Sequence, residues 1–226
     1  MSDEASELKF LSTSEKGEVS ALLLRPSRAS HLLVLGHGAG ADMRHASMQA
    51  IAESAADASI ATFRYNFPFM EQGRAQVDAK DTCTATIRAA VGTARAMAPD
   101  LPLLAGGHSF GGRMTSTAAA ESPLPAVKGI VLFSFPLHPP DRPDTKRAEH
   151  LSAVTVPLLF LSGTRDKLAH LDLLEPVVEK LGSRATLHLL DTADHSYKIL
   201  KRTRKSHESV FDEMAGVLSV WAASFP

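Results

Sequence analysis

Short apolar runs alternate with longer amphipathic stretches along most of this sequence. The amphipathic stretches place apolar residues three or four positions apart, the period of a helix, as at Met48, Ile51, Ala52 and Ala55. The short runs are mostly apolar at consecutive positions, which is typical of strands covered by helices on both faces of a parallel sheet. The runs predicted as strands are Val19–Leu24, Leu32–Leu35, Ile60–Phe63, Leu103–Ala105, Ile130–Phe133, Leu158–Leu161 and Thr186–Leu190. The alternation predicts an α/β fold with an open, mostly parallel sheet of about 7–8 strands and helices on both faces.

The start of the chain departs from this pattern. Leu8–Leu11, a turn at Lys16-Gly17 and the run Val19–Leu24 predict an antiparallel hairpin at one edge of the sheet. The 226 residues contain no internal repeat and no Pro/Gly/Ser-rich linker long enough to separate two domains. We therefore expect a single domain over residues 1–226, with its functional groups in the loops that follow the strands, where ligands bind in sheets of this kind.

Charge and cysteine content narrow the classes of partner. The 24 Lys and Arg residues balance 25 Asp and Glu residues, so the chain lacks the concentrated positive charge of a nucleic-acid-binding domain. Cys83 has no partner for an internal disulfide, which favours a reducing compartment. The acidic start Met1–Glu4 differs from a signal peptide, and no apolar run reaches the roughly 20 residues that cross a membrane. We expect a cytoplasmic protein without a nucleic-acid or membrane partner, and without a metal, since no histidine pair has metal-ligand spacing.

One motif lies where a predicted strand turns into a predicted helix. The sequence Gly107-His108-Ser109-Phe110-Gly111 matches G-x-S-x-G and separates the strand Leu103–Ala105 from a helical run over Arg113–Glu121. Such an abrupt turn lifts the serine onto a strained corner at the helix N-terminus, and glycine two positions to either side relieves the crowding. Ser109 is therefore predicted as a catalytic nucleophile. The alternative is a glycine-rich turn whose serine caps the helix.

A serine hydroxyl becomes a nucleophile when a base takes its proton and a carboxylate orients that base. Asp166 follows the sixth predicted strand and His195 follows the seventh, so both loops end at the same edge of the sheet. The order serine, acid, histidine along the chain is the one used in this architecture. We predict Asp166 as the orienting acid, with Asp172 as the alternative, and His195 as the base. Asp191 and Asp194 lie close to His195 in the sequence and are interpreted as turn residues.

The negative charge that forms on a substrate carbonyl oxygen needs two backbone N–H donors, an oxyanion hole. One donor is predicted at Phe110, the residue after the nucleophile. The other is predicted in the loop Gly36-His37-Gly38-Ala39-Gly40, which resembles the H-G-x-G pattern of esterases and lipases. That pattern nominates the amide of Ala39, with Gly40 as the alternative, and leaves His37 a loop-shaping role.

Together these features make the chain similar to the α/β-hydrolase superfamily over essentially its whole length. Arg64-Tyr65-Asn66-Phe67-Pro68 and the segment 107–113 also resemble a small subgroup related to the dienelactone hydrolases, which includes a testis-expressed protein and a subunit of the NSL histone-acetyltransferase complex. Dienelactone hydrolases carry cysteine in place of the motif serine, which is Ser109 in this chain, so their substrate is not carried over. The resemblance implies a serine hydrolase that cleaves a carboxylic ester, a thioester or a related small acyl substrate through an acyl-enzyme, without a cofactor.

Two further expectations concern the substrate. Larger lipases insert a helical cap before the acid strand, whereas here only residues 134–155 occupy that position, with room for a loop and a short helix near Arg147–Leu151. The resemblance therefore implies an open site with a minimal lid. Arg64 and Arg113 are candidates to bind an anionic group of the substrate, because guanidinium pairs with carboxylate or phosphate. A bond to a neighbouring carboxylate or carbonyl group is the competing interpretation.

Two other interpretations of the sequence stay open. Gly36-x-Gly38-x-x-Ala41 fits a relaxed dinucleotide fingerprint, and Arg64 would then face a 2′-phosphate, as in an NADP-dependent oxidoreductase. That interpretation does not explain the G-x-S-x-G motif, and a hairpin precedes the glycine loop. In the second, the chain is a non-catalytic interaction module built on a hydrolase fold, since a fold alone does not guarantee activity.

Overall fold

The computed structural model describes residues 5–225, which form one eight-stranded sheet with helices on both faces. β1 pairs antiparallel with β2 and β2 with β4, and every other neighbouring pair is parallel. The predicted fold class, with its antiparallel hairpin at one edge, is confirmed. The acidic start, Met1–Glu4, lies outside the described residues. The sheet order is β1-β2-β4-β3-β5-β6-β7-β8, with the bounds β1 Ser6–Thr13, β2 Gly17–Leu24, β3 His31–Gly36, β4 Ile60–Tyr65, β5 Leu103–His108, β6 Val127–Phe133, β7 Leu158–Gly163 and β8 Ala185–Leu190.

The central strands run further toward their carboxyl ends than the apolar runs predict. β5 continues to His108 rather than ending at Ala105, because Gly106 and Gly107 still pair with β3 on one side and β6 on the other. In the same way, β7 continues to Gly163, paired with β8. Apolar patterning does not reveal such residues, because their place in a strand depends on neighbours that come from other parts of the chain.

Helices cover the two faces of the sheet unequally. α1 and α6 pack on one face, and α3, α4 and α5 pack on the other. α4 begins at Phe110, three residues before its predicted start, and α2 has no sequence prediction because a single turn is too short for a periodic pattern. The bounds are α1 Ala46–Asp57, α2 Pro68–Glu71, α3 Lys80–Met97, α4 Phe110–Glu121, α5 Leu171–Leu181 and α6 Val210–Ala222, with 3₁₀ helices at Lys146–Ala153 and Gly182–Arg184.

The segment at the lid position, residues 134–155, carries only one helical element. That element is the 3₁₀ helix Lys146–Ala153, which buries Ala148 and Leu151 and packs against α4. The carboxyl ends of β3, β5, β7 and β8 are therefore left without a helical cap. Over residues 5–225, none of the helices is both long enough and apolar enough to cross a bilayer.

Candidate active site

Ser109 stands between β5 and α4 in a backbone conformation that side chains rarely adopt. Its φ is 51° and its ψ is −112°, and it is the N-cap residue of α4. Glycine is required on both sides, because the backbone passes very close to the loop after β3. A Cβ on Gly107 would lie 2.6 Å from the carbonyl oxygen of Gly36, and a Cβ on Gly111 would lie 2.7 Å from the carbonyl oxygen of His37. Close packing against this loop therefore holds the serine at its strained corner.

His195 and Asp166 meet the serine hydroxyl in one continuous hydrogen-bonded chain. Nε2 of His195 lies 2.8 Å from Oγ of Ser109, and Nδ1 lies 2.8 and 3.0 Å from the two carboxylate oxygens of Asp166. The Asp166 side chain is fully buried, whereas that of His195 is 21% exposed. Because a carboxylate accepts, Nδ1 carries the proton and Nε2 is left to accept the hydroxyl of Ser109. The structure thus brings together the three residues that the sequence places 86 positions apart at most.

Direct hydrogen bonds join the loop of the acid to the loop of the base. The N–H of Arg165 donates to the carbonyl oxygen of Ala193 at 2.9 Å, and the N–H of Thr192 donates to Oγ1 of Thr164 at 2.9 Å. Asp166 is also fixed from its own loop, since its Oδ1 accepts the N–H of Leu168 at 2.8 Å. The carboxylate and the imidazole are therefore held in register by the backbone as well as by their own bond.

The other acidic residues near these loops have local partners. Oδ1 of Asp194 accepts the backbone N–H groups of Ser196 and Lys198 at 2.9 and 3.0 Å, and Oδ2 of Asp191 accepts the N–H of Lys205 at 2.8 Å. Asp194 thus has the turn-stabilising contacts expected of it, whereas Asp191 connects its loop to a segment 14 positions further along the chain. Asp172, the alternative acid, is exposed in the first turn of α5 and does not contact His195.

The loop after β3 lies beside the serine. A Cβ on Gly38 would lie 3.9 Å from the Cβ of Ser109, so the peptide that joins Gly38 to Ala39 is next to the hydroxyl. Within residues 5–225, the N–H of Ala39 donates no hydrogen bond. The N–H of Phe110 is the first of α4, a position that has no acceptor inside the helix. Both predicted oxyanion donors are therefore available to a ligand.

His37 is fully buried beneath that loop and determines its direction. Its Nδ1 donates to the carbonyl oxygen of Gly38 at 2.8 Å, and its Nε2 accepts the N–H of Phe67 at 3.0 Å. The Gly38 oxygen also accepts the N–H of Ala41 at 3.2 Å. Because the C=O and N–H of a trans peptide point in opposite directions, these bonds also set the direction of the Ala39 N–H. Burial lowers the pKa of His37 to about 4, so this neutral tautomer persists at neutral pH.

His108 connects the serine to the loop of the base. Its Nε2 donates to the carbonyl oxygen of His195 at 3.1 Å, and its ring centroid lies 5.6 Å from the ring centroids of both His195 and Tyr197. Burial, reinforced by the charge of His195, lowers the pKa of His108 to about 4. Sequence reasoning missed this contact, because the second position of G-x-S-x-G accepts any residue and nothing in the sequence marks its partner.

An open cleft of about 760 Å³ surrounds the serine. Its walls come from the loop after β3, the first turns of α1, the loop of His195 and the start of α6. Ser109, His195 and Ala39 all line it, so the hydroxyl, the imidazole and one of the free amides face the same space. Such a site can bring a base-activated hydroxyl and two N–H donors to one carbonyl group.

Sequence comparison identifies the family to which the chain belongs. A family described as an alpha/beta hydrolase domain matches residues 29–223. The chain belongs to the α/β-hydrolase family. The narrower resemblance to the subgroup of the testis-expressed protein and the NSL subunit stays a prediction.

Several solved structures share the fold of the whole chain at low sequence identity. A dienelactone hydrolase from Anabaena variabilis is 19% identical with a TM-score of 0.74, and the match covers 98% of each chain. An α/β serine hydrolase without a lid from Xanthomonas campestris is 19% identical with a TM-score of 0.73, over 98% of this chain and 95% of that one. Est1E from Butyrivibrio proteoclasticus is 15% identical with a TM-score of 0.72, over 96% and 98%.

The two arginines predicted as substrate ligands lie in different surroundings in this α/β-hydrolase. Arg64 is 5% exposed in β4, and its Nη1 donates to the carbonyl oxygen of Met43 at 3.1 Å. The structure does not bring Arg64 to the cleft, because its guanidinium is buried beside that carbonyl group. Arg113 is half-buried in α4, one turn after Ser109, with its guanidinium carbon 5.8 Å from the ring centroid of Phe110.

The glycine loop of this α/β-hydrolase is not built like a dinucleotide site. In such sites the glycine turn opens directly into a helix whose N-terminus faces the pyrophosphate. Here α1 begins only at Ala46, eight positions after Gly38. The loop packs instead against Gly111 in the first turn of α4. Nowhere in residues 5–225 do three or more His, Cys, Asp or Glu side chains form a group suited to a metal ion.

Proposed function

We propose that this α/β-hydrolase is a serine hydrolase that cleaves a carboxylic ester, a thioester or a related small acyl compound through an acyl-enzyme. The observation that carries the proposal is the chain of short contacts from Oγ of Ser109 through His195 to the buried carboxylate of Asp166. A buried carboxylate that orients a histidine against a strained, cleft-lining serine is the arrangement that activates a hydroxyl for acyl transfer.

In the first half-reaction, Oγ of Ser109 attacks the substrate carbonyl carbon as Nε2 of His195 takes the hydroxyl proton. The π electrons of the carbonyl group move to its oxygen, which accepts the N–H groups of Ala39 and Phe110. Collapse of this intermediate breaks the bond to the leaving group, which receives the proton from Nε2. Asp166 holds Nδ1 and stabilises the imidazolium between the two transfers.

In the second half-reaction, water replaces the leaving group. Nε2 of His195 takes a proton from the water as its oxygen attacks the acyl carbon, and the same two amides hold the new oxyanion. The bond to Oγ of Ser109 then breaks, and Oγ regains the proton from Nε2. The free acid leaves, and the enzyme returns to its starting state.

The open cleft supports small or exposed acyl substrates. No helical cap covers the carboxyl ends of the central strands, so a long acyl chain in the open cleft would stay exposed to water. Among proteins of similar fold, one is a dienelactone hydrolase and another a serine hydrolase without a lid. Their activities support hydrolysis of an acyl compound by this chain, and their own substrates are not carried over to it.

A fluorophosphonate probe tests the nucleophile directly. We expect the wild-type protein to be labelled at Ser109 and to hydrolyse p-nitrophenyl acetate, and we expect Ser109→Ala to lose both properties. Ser183→Ala is the matched control, because Ser183 is exposed in the second 3₁₀ helix, far from the cleft residues. A well-folded wild-type protein that resists the probe would instead favour the non-catalytic interaction module.

A further inference from the structure

Two arginines, one on α4 and one on the 3₁₀ helix packed against it, have no carboxylate partner. Arg113 on α4 and Arg147 on the 3₁₀ helix form no salt bridge within residues 5–225. Both side chains are half-buried, and the guanidinium carbon of Arg113 lies 5.8 Å from the ring centroid of Phe110. Arginines that serve stability alone usually bind carboxylate or carbonyl groups, so this pair needs another explanation.

One hydrogen bond aligns the two arginines. Oγ of Ser116 lies 3.0 Å from the carbonyl oxygen of Arg113 and 2.8 Å from Nε2 of His150, so one hydroxyl group connects α4 to the 3₁₀ helix. Arg113 precedes Ser116 by three positions on α4, and Arg147 precedes His150 by three on the 3₁₀ helix, so each arginine shares a face with its bonded neighbour. The bond between the two helices thus places Arg113 and Arg147 on the same side of the contact.

The electrostatic surroundings of Arg113, Arg147 and His150, which we call the arginine cluster, agree with this arrangement. Burial lowers the pKa of Arg113, and the charge of Arg147 lowers it further. Burial and then the charge of Arg113 lower the pKa of His150 to about 4, so the histidine is neutral and the two arginines carry the charge. Like charges held together in half-buried positions cost free energy that a bound anion removes.

The cluster lies on the side of Ser109 where an acyl group belongs. The leaving group must face Nε2 of His195, which supplies its proton, and therefore occupies the cleft on the side of α1 and α6. α4 covers the opposite face of the sheet. The N–H of Arg113 donates to the carbonyl oxygen of Ser109 at 3.0 Å, and Cα–Cβ bonds in a helix tilt toward its N-terminus, so the Cβ of Arg113 is directed back along α4 toward the serine.

We infer that Arg113 and Arg147 bind a carboxylate at the far end of the acyl part of the substrate that Ser109 attacks. The inference rests on the proposed function and narrows the substrate to monoesters or thioesters of dicarboxylic acids. Guanidinium groups suit this role, because they pair with a carboxylate through two parallel hydrogen bonds. The neutral His150 and Ser116 are positioning residues, since they hold the 3₁₀ helix against α4.

The preference of the enzyme for anionic over neutral acyl groups tests this carboxylate-binding site. The p-nitrophenyl monoesters of succinic, glutaric and adipic acids are compared with neutral p-nitrophenyl esters of the same chain lengths, so that the leaving group is constant. At the best chain length we expect the wild-type kcat/KM to favour the anionic ester, and Arg113→Gln or Arg147→Gln to lower that preference about tenfold to hundredfold, mainly through KM. We expect the neutral esters to change by less than about threefold, because they make no charged contact.

The control variant is Arg28→Gln. Arg28 is exposed in the loop before β3, at the opposite edge of the sheet from Ser109, and its loss changes the net charge equally. A wild-type preference near one at every chain length would overturn the inference. So would an equal loss of preference in Arg28→Gln, since the effect would then come from the general charge of the protein.

Binding without turnover separates this inference from the proposed function. Ser109→Ala is titrated with monomethyl glutarate in a calorimeter, and we expect binding that the added Arg113→Gln change abolishes. If Ser109→Ala still hydrolyses the esters, the proposed nucleophile is wrong, whatever the titration gives. Equal binding with and without Arg113 would overturn the carboxylate subsite even where the nucleophile is correct.

A substrate whose carboxylate lies on the leaving group tests whether the arginines bind the acyl part of the substrate. The enzyme is assayed with 4-acetoxybenzoate and with its neutral methyl ester. We expect Arg113→Gln to change both rates by the same factor, because this carboxylate faces His195 rather than α4. A selective loss on 4-acetoxybenzoate would overturn the assignment of the arginines to the acyl part.

Discussion

Substitutions at His37 separate the stability of the loop after β3 from the direction of its oxyanion donor. The side chain makes two bonds with different tasks: Nδ1 donates to the Gly38 carbonyl oxygen, and Nε2 accepts the N–H of Phe67. Asn has an amide nitrogen at the same distance from the backbone as Nδ1, so His37→Asn retains the first bond. Gln has an amide oxygen that reaches as far as Nε2, so His37→Gln retains the second.

The magnitudes follow from what each variant leaves unpaired. In His37→Asn the buried N–H of Phe67 loses its acceptor, and we expect the free energy of unfolding to fall by about 1–3 kcal/mol. In His37→Gln the Gly38 carbonyl keeps only the N–H of Ala41, so the Ala39 donor is loosened rather than removed. Complete loss of such a donor costs ~2.7–4 kcal/mol. We therefore expect a smaller fall in kcat for His37→Gln, about tenfold to hundredfold, with little change in KM.

Urea unfolding and steady-state hydrolysis of p-nitrophenyl acetate measure the two effects. We expect a crossed result, in which the Asn variant is less stable but nearly fully active and the Gln variant is stable but slow. His207→Gln serves as the control, since His207 is exposed and lies outside the cleft. Equal losses of kcat in both variants, or an unchanged kcat in His37→Gln, would refute the argument that the Gly38 carbonyl directs the Ala39 donor.

Three further predictions concern the same site. Asp166→Asn removes the buried charge that stabilises the imidazolium, so kcat should fall about 10⁴-fold while substrate binding persists; a fall of less than about tenfold in single-turnover assays would contradict that role. His108→Leu removes the donor to the His195 carbonyl and should lower kcat about tenfold, and His108→Gln should restore most of it because its amide still donates, whereas equal rates in the two variants would show that only packing matters. Stability should also fall in acid, because burial lowers the pKa of His37 and His108 to about 4 and the unfolded chain therefore binds protons first. Urea unfolding between pH 7 and 4 should show a loss that begins near pH 6.5, about 1.4 kcal/mol per pH unit for each buried histidine, with a shallower slope in His37→Asn; a flat profile would contradict it.

The sequence alone predicts the architecture because the apolar pattern is a local property of each element. Strands covered on both faces are apolar at every position, and helices at every third or fourth, so the α/β fold and the hairpin are evident before any contact is known. The ends of the strands and helices are harder to predict from the sequence. Whether Gly106 and Gly107 belong to β5 depends on pairing with β3 and β6, and these strands come from distant parts of the chain.

The same division holds for the candidate site. The sequence predicts Ser109, Asp166 and His195 as the reactive residues, because each follows a predicted strand. Parallel strands end at one edge of the sheet, so these residues are expected to lie close together. Only the tertiary structure decides the surroundings of the two arginines: Arg64 is buried beside the Met43 carbonyl, whereas the guanidinium of Arg113 lies over the ring of Phe110.

The features of the site that the sequence does not predict come from contacts between residues that are remote in sequence. The bond from His108 to the His195 carbonyl and the bond between Ser116 and His150 both join parts of the chain whose separation in sequence gives no sign of the contact. The chain by itself determined which elements form and which reactive groups sit at their ends, because secondary structure and strand direction are set locally. The packing of those elements decided which side chains meet, because a hydrogen bond or a shared charge requires atoms within a few ångströms of one another.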